Sequence, residues 1–100
     1  MSLRVVITPA AAADIVEARD WYDSQAVGVG DKFYFAVRNR IHDALENPLL
    51  PRAWGRRKIR KFRIPKYPHS IYYEINTEEL QVLAVVHGAR NPKYLNYRLR

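Results

Sequence analysis

The sequence predicts an α+β fold in which a helical hairpin packs on a small, mostly antiparallel sheet. Two observations support this class. The first half contains two segments with apolar residues at helical spacing, and the second half contains three short strand-like segments. The predicted element order is β-α-α-β-β-β. A chain of 100 residues has the length of one domain, so residues 1–100 are expected to fold as a single domain.

A short strand and a helix open the chain. The β-branched segment "LRVVIT" predicts a strand at an edge of the sheet or in a second layer. Thr8 followed by Pro9 is typical of a helix start, and this helix should run to about Ser24. Its apolar stripe consists of Ala11, Ile15, Ala18 and Tyr22. Its acidic residues, expected on the solvent side, are Asp14, Glu17, Asp20 and Asp23.

The segment "AVGVG" separates this helix from a second one. Asp31 is predicted to cap the second helix, and Asn47 should end it because the residue before Pro48 is disfavoured in helical geometry. The apolar face of the second helix consists of Phe33, Val37, Ile41 and Ala44/Leu45. Two helices joined by a short glycine-containing turn form an antiparallel hairpin.

Three strands are predicted in the second half, with the sequences "RKIRKFRI", "SIYYEI" and "LQVLAVVH". The gaps between them are short, so the strands should form an antiparallel meander. The third is apolar at nearly every position, which indicates a central strand covered on both faces. In the first, Phe62 and Ile64 should face the helices, with Lys58 and Arg60 on the same side near the rim.

The net charge of +7 is unevenly distributed. Residues 1–50 carry a balance of −2 and residues 51–100 a balance of +9. Such crowding of like charge indicates an anionic partner, the alternatives being a solvated basic surface or a protected edge strand. The candidates for binding nucleic acid or another target are Arg57, Lys58, Arg60, Lys61, Arg63 and Arg98.

Several classes of site are not supported by the sequence. There is no cysteine, and the histidines at positions 42, 69 and 87 lack metal-ligand spacing, so no metal and no cofactor are predicted. No apolar run has the roughly 20 residues that cross a bilayer, and no signal peptide is recognised. We expect a cytoplasmic protein with no membrane partner.

The strongest candidates for catalysis follow the last strand. His87 ends that strand, and Arg90 and Tyr94 come shortly after it. Histidine can move protons near neutral pH, and a guanidinium can hold phosphate by paired hydrogen bonds. The alternatives are structural: His87 bonding a backbone carbonyl, Arg90 bonding helix-end carbonyls, and Tyr94 packing against its neighbours.

Three segments in this order resemble the RelE/ParE superfamily, the small toxins of bacterial type II toxin–antitoxin modules that include plasmid-stabilisation proteins. "TPAAAADIVEARDWYDSQ" is similar to the opening helix of the family, "FRIPKYPHSIYYEI" to its central hairpin, and "LAVVHGARNP" to its last strand and loop. The resemblance implies a growth-inhibiting toxin that is neutralised by a cognate antitoxin.

The resemblance leaves two branches open. RelE-type members cleave mRNA on the ribosome without metal, and by position Arg90 would then stabilise the phosphorane while His87 or Tyr94 moves protons. ParE-type members instead poison DNA gyrase, and "HGAR" after the last strand resembles that branch. Ser70 stands where the RelE branch tends to carry an arginine. A non-toxic, basic nucleic-acid-binding or regulatory module is the third interpretation, and the oligomeric state is not predicted.

Overall fold

A computed structural model describes residues 3–100 of the chain. Within that range the elements are β1 (Arg4–Ile7), α1 (Pro9–Gln25), α2 (Val29–Glu46), β2 (Ala53–Trp54), β3 (Ile59–Arg63), β4 (His69–Ile75), β5 (Glu79–His87) and α3 (Pro92–Arg98). The strands form a single five-stranded sheet with the order β1-β5-β4-β3-β2. The predicted α+β class, a helical hairpin on a mostly antiparallel sheet, is confirmed.

The sheet is built around β5. This strand pairs antiparallel with β4 and parallel with β1, which therefore forms an edge as predicted. β5 contains a β-bulge, because Tyr72 pairs with Ala84 while Tyr73 pairs with Val82, which leaves Leu83 as the extra residue. Bulges change which side chains point to each face, so Val82 and Val85 contact one core while Ala84 contacts the other.

Helices α1 and α2 are in close contact near the turn that joins them. Asp31 was predicted to cap α2, and this is wrong: the helix begins at Val29 after Gly28, whose φ of 88° reverses the chain. Asp23 of α1 provides the cap, because its carboxylate accepts a hydrogen bond from the Gly30 amide at 2.8 Å. The other ends follow the sequence: Thr8 caps α1, and α2 stops at Glu46 just before Asn47.

The main core lies between the hairpin and one face of the sheet. Its buried members include Ala11, Ile15, Phe33, Val37, Ile41, Phe62, Ile64, Ile71, Tyr73, Leu80 and Val82. The predicted orientation of Phe62 and Ile64 toward the helices is confirmed. The hydroxyl of Tyr73, a fully buried residue, donates a hydrogen bond of 2.9 Å to the Pro48 carbonyl beyond α2. This bond satisfies a polar group that burial would otherwise destabilise.

A smaller core covers the opposite face of the sheet. Tyr72, Ala84 and Val86 are buried there beneath residues of α3 and its surroundings, namely Ile59, Tyr94, Leu95 and Leu99. The prediction that the last strand is covered on both faces is therefore confirmed. The helix that supplies the cover, α3, and the two-residue strand β2 were not predicted.

The basic strand β3 is shorter than predicted. Arg57 and Lys58 lie in the turn that precedes it, where Lys58 adopts a left-handed φ of 55°. Lys58 was predicted to lie on the strand face of Phe62, and this is wrong because Lys58 precedes the strand. The predicted alternation holds from Ile59 onward, where Lys61 and Arg63 are exposed and Phe62 is buried.

Candidate functional site

The three residues predicted as catalytic line one cleft. His87, Arg90 and Tyr94 surround a cavity of about 440 Å³ between α1 and the end of the sheet, which we call the histidine cleft. Its other lining residues are Asp14, Glu17, Ala18, Trp21, Tyr22, Pro68, His69, Val85 and Val86. Sequence reasoning missed the contributions of α1 and of His69, because residues far apart in the chain meet here.

Two histidines lie side by side at this end of the sheet. His69 and His87 are cross-strand partners, and their ring centroids are 5.2 Å apart. His69 is buried against Phe33, and burial followed by the proximity of His87 lowers the pKa of His69 from 6.5 to about 4. The His69 imidazole is therefore neutral at physiological pH.

His87 is exposed and held in one orientation. Its Nδ1 accepts a hydrogen bond of 2.9 Å from the backbone amide of Ala89. An accepting ring nitrogen carries no proton, so Nε2 is the nitrogen through which His87 can exchange a proton or contact a ligand. In the structural alternative considered above, His87 bonds a backbone carbonyl, whereas the observed partner is a backbone amide donor.

Arg90 and Tyr94 are coupled to each other. The exposed guanidinium of Arg90 lies 4.2 Å from the centroid of the Tyr94 ring, a cation–π contact. The Tyr94 hydroxyl in turn accepts a hydrogen bond of 2.7 Å from Nη1 of Arg98. Tyr94 is therefore fixed in place. The guanidinium of Arg90 lies over the Tyr94 ring and is exposed to solvent.

Asp14 and Arg98 form a buried ion pair behind the cleft. Nη1 and Nη2 of Arg98 donate to the two carboxylate oxygens of Asp14 at 2.9 and 2.8 Å, and both side chains are only 13% exposed. Asp14 also accepts from the Val85 amide at 3.0 Å. The hydrogen bonds that Arg98 donates to Asp14 raise the pKa of Arg98.

The expected solvent-facing position of Asp14 is therefore wrong. Strand β1 ends at Ile7, which pairs with Val82, so the amide of Val85 lies beyond the reach of the β1 ladder. Asp14 supplies the missing acceptor from α1. A signal was present in the sequence, because Asp14 stands next to Ile15 and three residues after Ala11, at the border of the apolar stripe.

The predicted basic target-binding residues have diverse surroundings. Arg57 pairs with Glu74 at 2.7 Å, Arg60 donates to the carbonyls of Leu49 and Pro51 at 3.2 and 2.5 Å, and Arg98 holds Asp14. Four of the six are exposed, namely Arg57, Lys58, Lys61 and Arg63. Target binding by these six residues remains a prediction, and it is simplest for Lys58, Lys61 and Arg63, which are exposed and take no part in the ion pairs described above.

Within residues 3–100, no three side chains of histidine, cysteine, aspartate or glutamate lie close enough together to hold a metal ion. None of the helices described for those residues has the length and apolar character needed to span a bilayer.

The chain is a small α+β protein whose sequence matches a known toxin family. The family model described as the ParE toxin of the type II toxin–antitoxin system parDE matches residues 5–92. The chain belongs to this ParE toxin family, in agreement with the resemblance found in the sequence.

One solved structure supports the same fold. In the chromosomal ParDE toxin–antitoxin system from P. aeruginosa, a chain is similar to this one with a TM-score of 0.66 and 20% sequence identity. The similarity covers 86% of this chain and 96% of that chain. No curated protein gives a significant match.

Proposed function

We propose that this protein is a toxin of the bacterial cytoplasm, that a cognate antitoxin neutralises it, and that its target is DNA gyrase. The observation that carries the proposal is membership of the ParE toxin family over residues 5–92. Members of the ParE branch act on gyrase by binding rather than by cleaving RNA. The protein would therefore stabilise a gyrase–DNA state instead of catalysing a reaction.

The chemistry of the histidine cleft supports a binding role. Cleavage of RNA without metal requires a proton acceptor, a proton donor and cations directed at the phosphate. Glu17 lines the cleft and repels a phosphate, while Arg98 is neutralised by Asp14. Arg90 is exposed and presents its guanidinium at the cleft, where it can contact a carboxylate or backbone carbonyl of a protein target.

The distribution of charge supports an acidic antitoxin segment. Residues 51–100 carry twelve basic and three acidic side chains. Two of the three acids, Glu74 and Glu79, are paired with Arg57 and Arg4. Exposed cations without a nearby acid attract and orient an acidic, amphipathic partner.

Expression in a bacterium that lacks the antitoxin tests this function. Growth should stop, DNA breaks should accumulate, and primer extension on translated mRNA should reveal no new 5′ ends. Arg90→Ala should relieve the arrest, whereas Arg38→Ala, a change of an exposed arginine on α2, should leave it intact. Normal growth with folded protein present would contradict the proposal and would favour a non-toxic, nucleic-acid-binding or regulatory module.

A ribosome-dependent endoribonuclease is the second candidate. One observation favours it, namely that His87, Arg90 and Tyr94 line the same cleft. This function predicts new mRNA 5′ ends after induction, and it predicts that His87→Ala abolishes them. Under gyrase poisoning such ends are absent with the wild-type protein, so the same primer extension separates the two functions.

A further inference from the structure

A second, larger concavity lies on the face of the sheet opposite the α1–α2 hairpin. It is a groove of about 910 Å³ between α3 and strands β2 and β3, and we call it the α3 groove. Its floor is formed by Ile59, Tyr72 and Leu99. Arg90, proposed above to contact gyrase, does not line it, and the groove shares no lining residue with the histidine cleft.

The charged side chains that line the α3 groove are all basic. Lys61, Lys93 and Arg100 are exposed and line the groove, and no aspartate or glutamate is among its lining residues. Glu74 follows Tyr72 at the strand spacing that places both on this face. Its carboxylate is held by Arg57 through two hydrogen bonds, at 2.7 and 3.2 Å. The groove therefore presents uncompensated positive charge, which selects an anionic ligand.

Two aromatic side chains stand in the same groove. Trp54 is 59% exposed and Tyr97 is 68% exposed, so both rings are open to solvent. An arginine lies against each ring, Arg52 at 4.6 Å from the Trp54 ring and Arg100 at 5.3 Å from the Tyr97 ring. Exposed rings supported by cations provide flat surfaces on which the bases of a nucleic acid stack.

The end of the chain that carries Arg100 is fixed in place. Arg57 donates from Nη1 to the carbonyl oxygens of Leu99 and Arg100, at 3.0 and 3.2 Å. The same guanidinium holds Glu74 through its other nitrogens. Arg57 therefore neutralises Glu74 and also fixes Leu99 and Arg100, which form one wall of the groove.

We propose that the α3 groove binds a short segment of single-stranded DNA. Bases stack on Trp54 and Tyr97, and the phosphates contact Lys61, Lys93 and Arg100. Duplex DNA hides the faces of its bases, so a single strand fits the exposed rings. An acidic peptide would satisfy the cations but offers no flat group to the rings. No aspartate or glutamate side chain lines the groove to accept a 2′-hydroxyl, so its chemistry does not require RNA.

Fluorescence titration tests the proposal on the purified full-length protein. The chain has two tryptophans, and Trp21→Phe leaves Trp54 as the single reporter. Adding an oligodeoxythymidylate of about eight nucleotides should quench Trp54, and three phosphate contacts should give a log–log salt slope of about −2. Lys61→Gln/Lys93→Gln should reduce the slope to about −0.7. The matched control Lys32→Gln/Arg38→Gln, which removes two charges from α2, should leave the slope unchanged.

Removal of a ring gives a second readout. Tyr97→Ala in the single-tryptophan protein should weaken binding at least about tenfold, with the fold checked by circular dichroism. The absence of quenching at about 50 mM salt would overturn the proposal. Tighter binding of oligouridylate, or binding of a glutamate-rich peptide in place of DNA, would also overturn it. The titration contains no gyrase, so its outcome is independent of the target proposed above.

Discussion

Arg98 of α3 and Asp14 of α1 form a two-bond ion pair, with N–O distances of 2.9 and 2.8 Å, across 84 positions of the chain. The two helices lie on opposite faces of the sheet, so the pair connects them around the edge of β5 beyond the end of β1. Arg98 also holds the hydroxyl of Tyr94. The position of Tyr94 in the histidine cleft therefore depends on an acid of α1.

Breaking this pair should destabilise the protein strongly. Arg98→Met leaves Asp14 buried with one backbone donor, and loss of one partner of a buried pair costs about 3–5 kcal/mol. Urea denaturation monitored by circular dichroism measures the change in the free energy of unfolding.

The double variant Asp14→Asn/Arg98→Met is the control. Asparagine retains an oxygen for the Val85 amide and removes the unpaired charge, so the double variant should be more stable than Arg98→Met alone. A double variant that is no more stable than Arg98→Met alone would contradict the account of the pair.

Stability should depend on the protonation of His69. The pKa of His69 is lowered from 6.5 in the unfolded chain to about 4 in the folded protein, mainly by burial. The unfolded chain therefore binds more protons between these values, and the free energy of unfolding falls as the pH falls. About 2 kcal/mol should be lost between pH 7 and pH 5 through this residue.

Urea denaturation of His69→Leu at both pH values measures that contribution. The variant should lose less stability than the wild type between pH 7 and pH 5. His42→Gln, a change of an exposed histidine on α2, should retain the wild-type dependence. The same pH dependence in His69→Leu and wild type would show that another group is responsible.

The close contact of α1 and α2 should exclude any side chain at Gly30. A Cβ at this position would lie 2.5 Å from the backbone oxygen of Arg19 and 2.7 Å from Asp23. Gly30→Ala should therefore lower the free energy of unfolding by about 1–3 kcal/mol, although alanine favours helices elsewhere. Asp23→Ala added to Gly30→Ala should not restore stability, because the backbone oxygen cannot move away. Full recovery in thermal or urea denaturation would contradict this reason.

Arg90 should matter for activity and little for stability. Its side chain is exposed and contacts the ring of Tyr94, so Arg90→Ala should change the free energy of unfolding by less than about 1 kcal/mol. The same variant should lose toxicity in cells. A large loss of stability in denaturant would mean that any loss of toxicity reports unfolding instead of a lost target contact.

The elements that the sequence predicted well depend on local patterns. The stripe that includes Ala11 and Ile15, the Thr8–Pro9 start and the Asn47–Pro48 end each follow from spacing or from proline geometry within a few residues. The strong alternation around Phe62 and the continuous apolar run of β5 likewise identified buried faces. These features required no knowledge of distant residues.

The features that were missed depend on distant contacts. Helix α3 has seven residues, none of them buried, so it lacks a complete apolar stripe and is stabilised by packing on β4 and β5. Asp14 was placed in solvent because neither its backbone donor on β5 nor Arg98 is near it in the sequence. Arg57 and Arg60 were treated as free cations, but their partners are Glu74 and two loop carbonyls. Charge can be counted from a sequence, whereas its pairing requires the fold.

A supercoiling assay with purified components tests the central claim most directly. Gyrase is incubated with relaxed plasmid and ATP, with and without this protein. In its presence the reaction should yield less supercoiled DNA. After digestion of the proteins it should yield more linear DNA, which reports a break made by gyrase. Arg90→Ala should restore supercoiling, and Arg38→Ala should inhibit as the wild type does. Full supercoiling at every concentration of folded wild-type protein would contradict the proposal that gyrase is the target.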